Sequence, residues 1–375
     1  MDGTAQLLDI DRRYLVHPLH HPEEHKTPLF VVSAHGAMLR DADGREVIDG
    51  LSGLWNVNIG HGRGELADAA AEQMRKVAFA SAYVGATNEP AIRLGEKIVK
   101  HAYANSSGVY FTTAGAESNE AAFKTARYYW KVKDKPNKIK IISRIHAYHG
   151  VTMAAMSATG MSAYHKMFGP LVPGFIQVAA PYAYRWQGNE EPGIGAAEAV
   201  EKAILAEGPD TVAAVIAEPV MGAGGVIVPP RTYWDKIQAV LRKYDILLVA
   251  DEVICGFGRT GSFWGSETFG MKPDIVTMAK QLSAGFMPIA AVMMNQRVYE
   301  VLRENSNRNV SFAHGITYSG HPASAACALE VLKIYEEQKI IDRARDLAPH
   351  FLRQLHSFAD HPLVGECRGV GLVGA

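Results

Sequence analysis

Two kinds of hydrophobic spacing alternate along this chain. Around 65–78, 89–102 and 117–130, apolar residues recur every three or four positions, as on one buried helix face. Between them lie short runs that are apolar without alternation and end in turn residues: 109–112, 138–143, 211–217, 246–250, 275–278 and 289–294. A further helical stretch, 233–244, separates the third of these from the fourth. Continuously apolar strands divided by helices predict an α/β fold: a mostly parallel sheet covered by helices on both faces. Near the N-terminus, AMLRDADGREVID alternates around Asp43-Gly44 and predicts a hairpin. In such sheets ligands bind beyond the carboxyl ends of the strands, so chemistry is sought just after each apolar run.

Four strand ends carry candidates. After 109–112 comes Thr113-Ala114-Gly115-Ala116, with Glu117 opening a helix on which Ala122, Ala126 and Tyr129 share a face. A small-residue turn feeding a helix N-terminus is an anion seat, although every doubly wound fold has such connections. After 138–143, Tyr148 and His149 precede Gly150, where an aromatic either stacks on a planar ligand or packs the core. After 246–250 comes Asp251, a carboxylate that is costly to bury unpaired and otherwise reads as a cap. After 275–278 the chain places Lys280 in DIVTMAKQLSAGFMP. Asp251 and Lys280 could form a structural ion pair, but such pairs seldom add stability over apolar replacements. A lysine in a cleft is better explained as an amine of lowered pKa that attacks a carbonyl. Pyridoxal 5′-phosphate uses the whole set: a lysine for its aldehyde, a carboxylate for its ring nitrogen and a seat for its phosphate.

The 375 residues suit a large α/β domain with a smaller satellite. A net charge of −1 gives no reason to expect a nucleic-acid partner. Three widely spaced cysteines, Cys255, Cys327 and Cys367, form no disulfide framework and point to a reducing, cytoplasmic setting. MDGTAQLLDIDRR lacks the apolar core of a signal peptide. The longest apolar stretch, 211–230, holds Glu218 and three prolines, unlike a membrane span. Gly256-Phe-Gly258-Arg-Thr-Gly261 matches a dinucleotide fingerprint and raises an NAD-dependent dehydrogenase as an alternative. The turn is not tight, however, and no clean helix follows. HPLHHPEEH, with His17, His20, His21 and His25, is broken by prolines and has no helical pair spacing. It reads as a solvated or interface segment, and no metal is expected.

Seven stretches together resemble the class III (ω-) aminotransferases of the fold-type I pyridoxal-phosphate enzymes, and within them the amine:pyruvate group. They are LSGLWNVNIGHGR, FTTAGAESNEAAFKTAR, HAYHGVT, AEPVMGAGGVIVPP, LLVADEVICGFGRTGSFWGSE, PDIVTMAKQLSAGFMPI and HGITYSGHP. The resemblance covers nearly the whole chain and absorbs GFGRTG. It implies a large cofactor-binding domain over 59–322. A small α+β domain would come from both chain ends, with 1–58 contributing and 323–375 beginning it. It implies that Lys280 bonds the cofactor and that Asp251 holds the ring nitrogen protonated. Tyr148 and Val253 would flank the ring, and Gly115 and Ala116 would give backbone N–H groups to the phosphate. The family often has serine where Ala116 stands, so this chain would supply one hydroxyl fewer. Thr317 would reach the phosphate of a neighbouring subunit, making a homodimer the active unit. Leu19, Leu54, Trp55, Val151 and Ala223 fall where the family lines its substrate pockets. The reaction implied is a ping-pong transamination from a primary amine to pyruvate or a similar keto acid, through pyridoxamine phosphate. A class III decarboxylase or aminomutase is the alternative. Relatives carry a mobile arginine beyond RGVGLVGA that pairs with the keto-acid carboxylate, and no residue here is assigned that role.

Overall fold

The computed structural model describes every residue except Met1, His20, Pro22, Glu24, Val84 and 306–310. His20 of the N-terminal histidine run therefore lies outside the described residues. The chain forms two compact units, Met1–Gly64 and Glu65–Ala375.

The first unit begins with helix α1 (Asp2–Tyr14), which the hydrophobic pattern did not signal. Strands β1 (Val31–His35), β2 (Met38–Asp41) and β3 (Glu46–Ile48) form an antiparallel sheet in that order. The expected hairpin is β2–β3. Its turn is built by Asp41, whose Oδ1 accepts the N–H groups of Asp43 at 3.0 Å and Arg45 at 2.9 Å, and by Gly44 at φ +83°. A side-chain oxygen bonding the backbone two residues on is the standard way aspartate makes a turn. The following turn, α2 (Ser52–Trp55), is not a regular helix. Ser52, Gly53 and Trp55 have φ of +60°, +67° and +64°. Asp49 Oδ2 holds it by accepting Gly53 N–H at 2.7 Å.

In the second unit, helices α3 (Gly64–Lys76), α4 (Glu89–Lys100) and α5 (Gly115–Val132) stand where the periodicity placed them. So does α8 (Arg231–Lys243). Helices α6 (Met153–Ala158), α7 (Pro192–Glu207) and α9 (Gly265–Thr268) were not foreseen. The central sheet uses β4 (Ser106–Thr112), β5 (Lys140–Arg144), β6 (Phe175–Val178) and β7 (Val212–Ala217). It is completed by β8 (Leu247–Asp251), β9 (Ile275–Met278) and β10 (Ala290–Asn295). The order is β4-β10-β9-β8-β7-β5-β6. From β9 to β6 every pairing is parallel, while β10 runs antiparallel to both β9 and β4. That exception has a simple cause. No long crossover helix separates β9 from β10, and a parallel return needs one.

Strands β7, β8 and β9 are buried at every position, as their unbroken apolar runs predicted. Ala121, Ala122 and Ala126 let α5 lie close against the sheet, and Trp130 Nε1 donates to the Ala213 carbonyl at 2.8 Å. Each Val, Ile or Leu side chain so buried contributes about 1.5–3 kcal/mol. The register aligns Ala217 with Ala250 and Asp251 with Thr277, so the carboxyl ends of β7, β8 and β9 share one edge. The unit closes with α10 (Gln296–Asn305), α11 (Pro322–Glu337), α12 (Ile340–His356) and the strand pair β11 (Gly369–Val370) and β12 (Val373–Gly374). Among the described residues no helix is long and apolar enough to cross a membrane.

Candidate functional site

Asp251 is the last residue of β8 and is only 2% exposed. A bare carboxylate there would be prohibitive, and three donors make it tolerable. Its Oδ2 accepts Asn119 Nδ2 at 2.9 Å and meets His149 Nδ1 at 2.8 Å, while Oδ1 accepts the Val253 N–H at 3.1 Å. Asn119 lies on the buried face of α5 and also donates to the His149 carbonyl at 2.7 Å. His149 is held in turn, its N–H donating to Thr159 Oγ1 at 2.9 Å. With Nδ1–H pointed at the carboxylate, the buried Nε2 finds no partner among the described residues.

Lys280 follows β9 and opens a 3-10 turn over Lys280–Leu282, with φ at +45°. A lysine in the left-handed region carries strain, which marks a position constrained by something other than local preference. The turn is fixed from outside: Gln281 Nε2 donates to the Ile254 carbonyl at 2.8 Å, and Tyr335 Oη donates to the Gln281 carbonyl at 2.6 Å. Burial disfavours the ammonium and holds the Lys280 pKa below its ordinary value, against the opposing pull of the Asp251 and Glu218 charges. Among the described residues no ion pair joins Asp251 to Lys280; the ring that meets the Asp251 carboxylate is that of His149.

Gly115 begins α5, two positions ahead of the expected start at Glu117, with Ala114 as N-cap. The N–H groups of a first helical turn have no partner within the helix and face an anion readily. Glu117 lies close to this seat, but its Oε2 is taken up by Thr113, whose N–H donates at 2.8 Å and Oγ1 at 2.5 Å. A Cβ on Gly115 would meet the Val253 methyls at 3.0 and 3.1 Å, so the missing side chain lets Val253 close over this turn. Gly150, at φ +116°, lies just as tightly against Ala116. Gly115, Ala116, Tyr148, Asp251 and Val253 are thus drawn together at one sheet edge, which β9 shares. A buried carboxylate, an amine of lowered pKa and a cradle kept open by glycine fit pyridoxal phosphate.

Glu218 was noted in the sequence only as an argument against a membrane span, yet it organises this edge. It is buried, its Oε1 accepts the Tyr148 N–H at 3.1 Å and its Oε2 the Gly222 N–H at 2.9 Å. Burial pushes its pKa up. Arg144 Nη2 donates to the Glu218 carbonyl at 2.6 Å. An acid inside an apolar run was the available signal for Glu218, and a polar residue on the alanine face of α5 was the one for Asn119. The neighbouring Glu252 turns away, accepting the N–H groups of Gly265 and Ser266, and burial raises its carboxyl to about 7.

Each of the other expected residues has its own surroundings. Val151 and Ala223 are exposed, and Thr317 is exposed in a turn over 317–320. Leu19, Leu54 and Trp55 belong to the N-terminal unit, where Leu19 and Leu54 are exposed and Leu19 has φ +53°. The glycines of GFGRTG serve a turn, with Gly258 at φ +99° and Gly261 at φ +90°, and no long helix follows.

His149 offers a separate test of the Asp251 geometry. Losing a hydrogen bond to a charged group costs about 1.5–3 kcal/mol, which corresponds to roughly 10–100-fold in rate. His149→Ala should therefore lower kcat by that factor with little change in KM, and should alter the pH–rate profile. An unchanged kcat and profile would limit His149 to packing.

The class-III aminotransferase family matches residues 19–375, and the chain belongs to it. It is a pyridoxal-phosphate-dependent aminotransferase of fold type I. Among its relatives is a putrescine–pyruvate aminotransferase of Pseudomonas aeruginosa, 44% identical over 92% of this chain and 76% of that protein. A diaminobutyrate–2-oxoglutarate transaminase of Halomonas elongata is 43% identical over the whole chain and 82% of that protein. The solved omega transaminase of Pseudomonas jessenii in complex with PMP superposes with a TM-score of 0.95 at 43% identity, over 98% of this chain and 83% of that one.

Proposed function

We propose that the chain moves an amino group from a primary amine to pyruvate or a similar keto acid, with Lys280 and Asp251 as its catalytic residues. The observation that carries this is a lysine of depressed pKa, strained into its turn, at the edge where a buried, triply hydrogen-bonded aspartate ends the adjacent strand. Bound pyridoxal phosphate supplies an aldehyde for the amine and an electron sink for the pair released at the substrate carbon.

The protein's part follows from its residues. Lys280 would be the residue that holds the cofactor covalently. Its Nζ, whose pKa burial holds below the ordinary lysine value, would be the group that carries the proton removed from the substrate carbon. Asp251, whose carboxylate accepts three hydrogen bonds, would hold a proton on the cofactor's ring nitrogen. Tyr148 and Val253 would flank the ring. Gly115 and Ala116 present N–H groups to the phosphate. Leu19, Leu54, Trp55, Val151 and Ala223 shape the amine pocket, and an exposed leucine at 19 favours aliphatic donors.

The active unit is a homodimer in which Thr317 serves the neighbouring subunit. Supporting this, Tyr83, Ile92, Phe111 and Phe312 line an open groove of about 1000 Å³ beside Gly315 and Ser319. Exposed apolar surface of this kind is a mark of association. The unpaired cysteines are in keeping with the cytoplasm.

Incubating the cofactor-loaded protein with putrescine and other primary amines plus pyruvate should yield alanine in step with amine consumed. Double-reciprocal plots should be parallel, as for ping-pong exchange. Carbon dioxide release or an isomerised amine without alanine would point to a decarboxylase or an aminomutase instead.

A further inference from the structure

Asp11, His17 and His25 lie outside everything the transfer chemistry uses, yet they converge within the N-terminal unit. Asp11 sits in the last turn of α1; the two histidines come from the segment between α1 and β1. Nε2 of His17 lies 3.1 and 3.0 Å from the two Asp11 carboxylate oxygens, and Nε2 of His25 lies 3.3 Å from Oδ2. The two rings stand 3.8 Å apart, tilted by 37°. One donor atom from each residue falls within 4.8 Å of the other two. The prolines that broke the sequence spacing do not matter, because the third donor comes from the helix and the chain folds back to it.

Hydrogen bonding alone fits this arrangement poorly. It needs both rings to carry their proton on Nε2 and aim it at one carboxylate oxygen, with the His17 donor divided evenly between two acceptors, whereas an N–H prefers a single line of approach. A cation fits better. Zinc sits about 2.0–2.2 Å from nitrogen and carboxylate donors, which sets tetrahedral neighbours about 3.3 Å apart, close to the contacts found. Two imidazoles and a carboxylate suit a borderline divalent ion, and three protein ligands leave the fourth corner for water. The side chains are 21–27% exposed, so an ion can enter from solvent. Nearby, Arg13 pairs with Asp9, Lys26 pairs with Glu23, and Arg12 Nη2 donates to the Lys26 carbonyl at 3.3 Å.

We propose that Asp11, His17 and His25 form a zinc-type divalent metal site that ties α1 to the segment carrying Leu19. Such a clip closes a loop whose ordering would otherwise cost entropy, and so steadies Leu19. The site does not depend on the transamination reading.

The test uses tag-free, cofactor-loaded protein, stripped with a chelator and dialysed against Zn²⁺. Wild type should retain one zinc per chain. His17→Gln combined with His25→Gln should retain none at the same free zinc, an affinity loss of about 100-fold or more. The cofactor absorbance of the double variant reports that it has folded. On wild type alone, Zn²⁺ should also protect His17 and His25 from diethylpyrocarbonate, mapped by mass spectrometry, while exposed His21 reacts as before. Equal zinc in both proteins, no zinc in wild type, or no protection of these two histidines would overturn the site.

Discussion

Lys280→Ala should abolish turnover and the visible absorbance of the bound cofactor. On the proposed reading the substitution would remove two things at once: the covalent tether and the proton carrier assigned to the substrate carbon. General base catalysis alone is worth about 10²–10⁴-fold, so with the tether gone kcat should fall by at least about 10⁴. The fold should survive, since the Gln281 and Tyr335 hydrogen bonds that shape this turn do not involve the lysine side chain. Alanine formation and a melting curve check the two halves of the expectation. Activity within tenfold of wild type would remove Lys280 from the reaction.

Asp251→Asn should be nearly as damaging by a different route. The size is kept and the charge is lost, so on the proposed reading nothing would hold the ring nitrogen protonated. Removing one preorganised electrostatic partner typically costs about 10²–10³-fold in kcat. There is also a structural cost. Asn119, His149 and the Val253 N–H all point at the carboxylate, and an amide presents an NH₂ to at least one of them. A donor left facing a donor in a buried site costs about 1–3 kcal/mol. The variant should melt lower yet still take up cofactor. Wild-type rate and spectrum would exclude Asp251 from the electron-sink role.

The middle of the sheet was legible because β7, β8 and β9 are buried on both faces and so read as unbroken apolar runs, whereas the partly exposed edge strand β6 left no such run and was not foreseen. Helices with one strongly apolar face, such as α4 and α8, were equally plain. Less visible were α1, whose sequence DGTAQLLDIDRRY is largely polar, and α7, whose sequence PGIGAAEAVEKAILAE is apolar around most of its circumference. The antiparallel β10 was hidden for another reason: direction depends on the length of a connection, and an apolar run carries no direction. In the site, Lys280 and Asp251 stood out as charges where burial makes charge expensive. Asn119, His149 and Glu218 did not, because their roles lie in contacts across 30 to 132 residues of sequence, such as Asn119 with His149 and with Asp251. The convergence of Asp11 with His17 and His25 was hidden in the same way, since it depends on the chain doubling back and leaves no periodic trace.

The central claim is that one side chain, at position 280, holds the cofactor covalently. Reducing the cofactor-loaded protein with borohydride and mapping the labelled peptide by mass spectrometry tests it most directly. The account predicts a pyridoxyl label on Lys280 alone, within the peptide spanning β9 and the turn that follows. A label on any other lysine, or none, would contradict it.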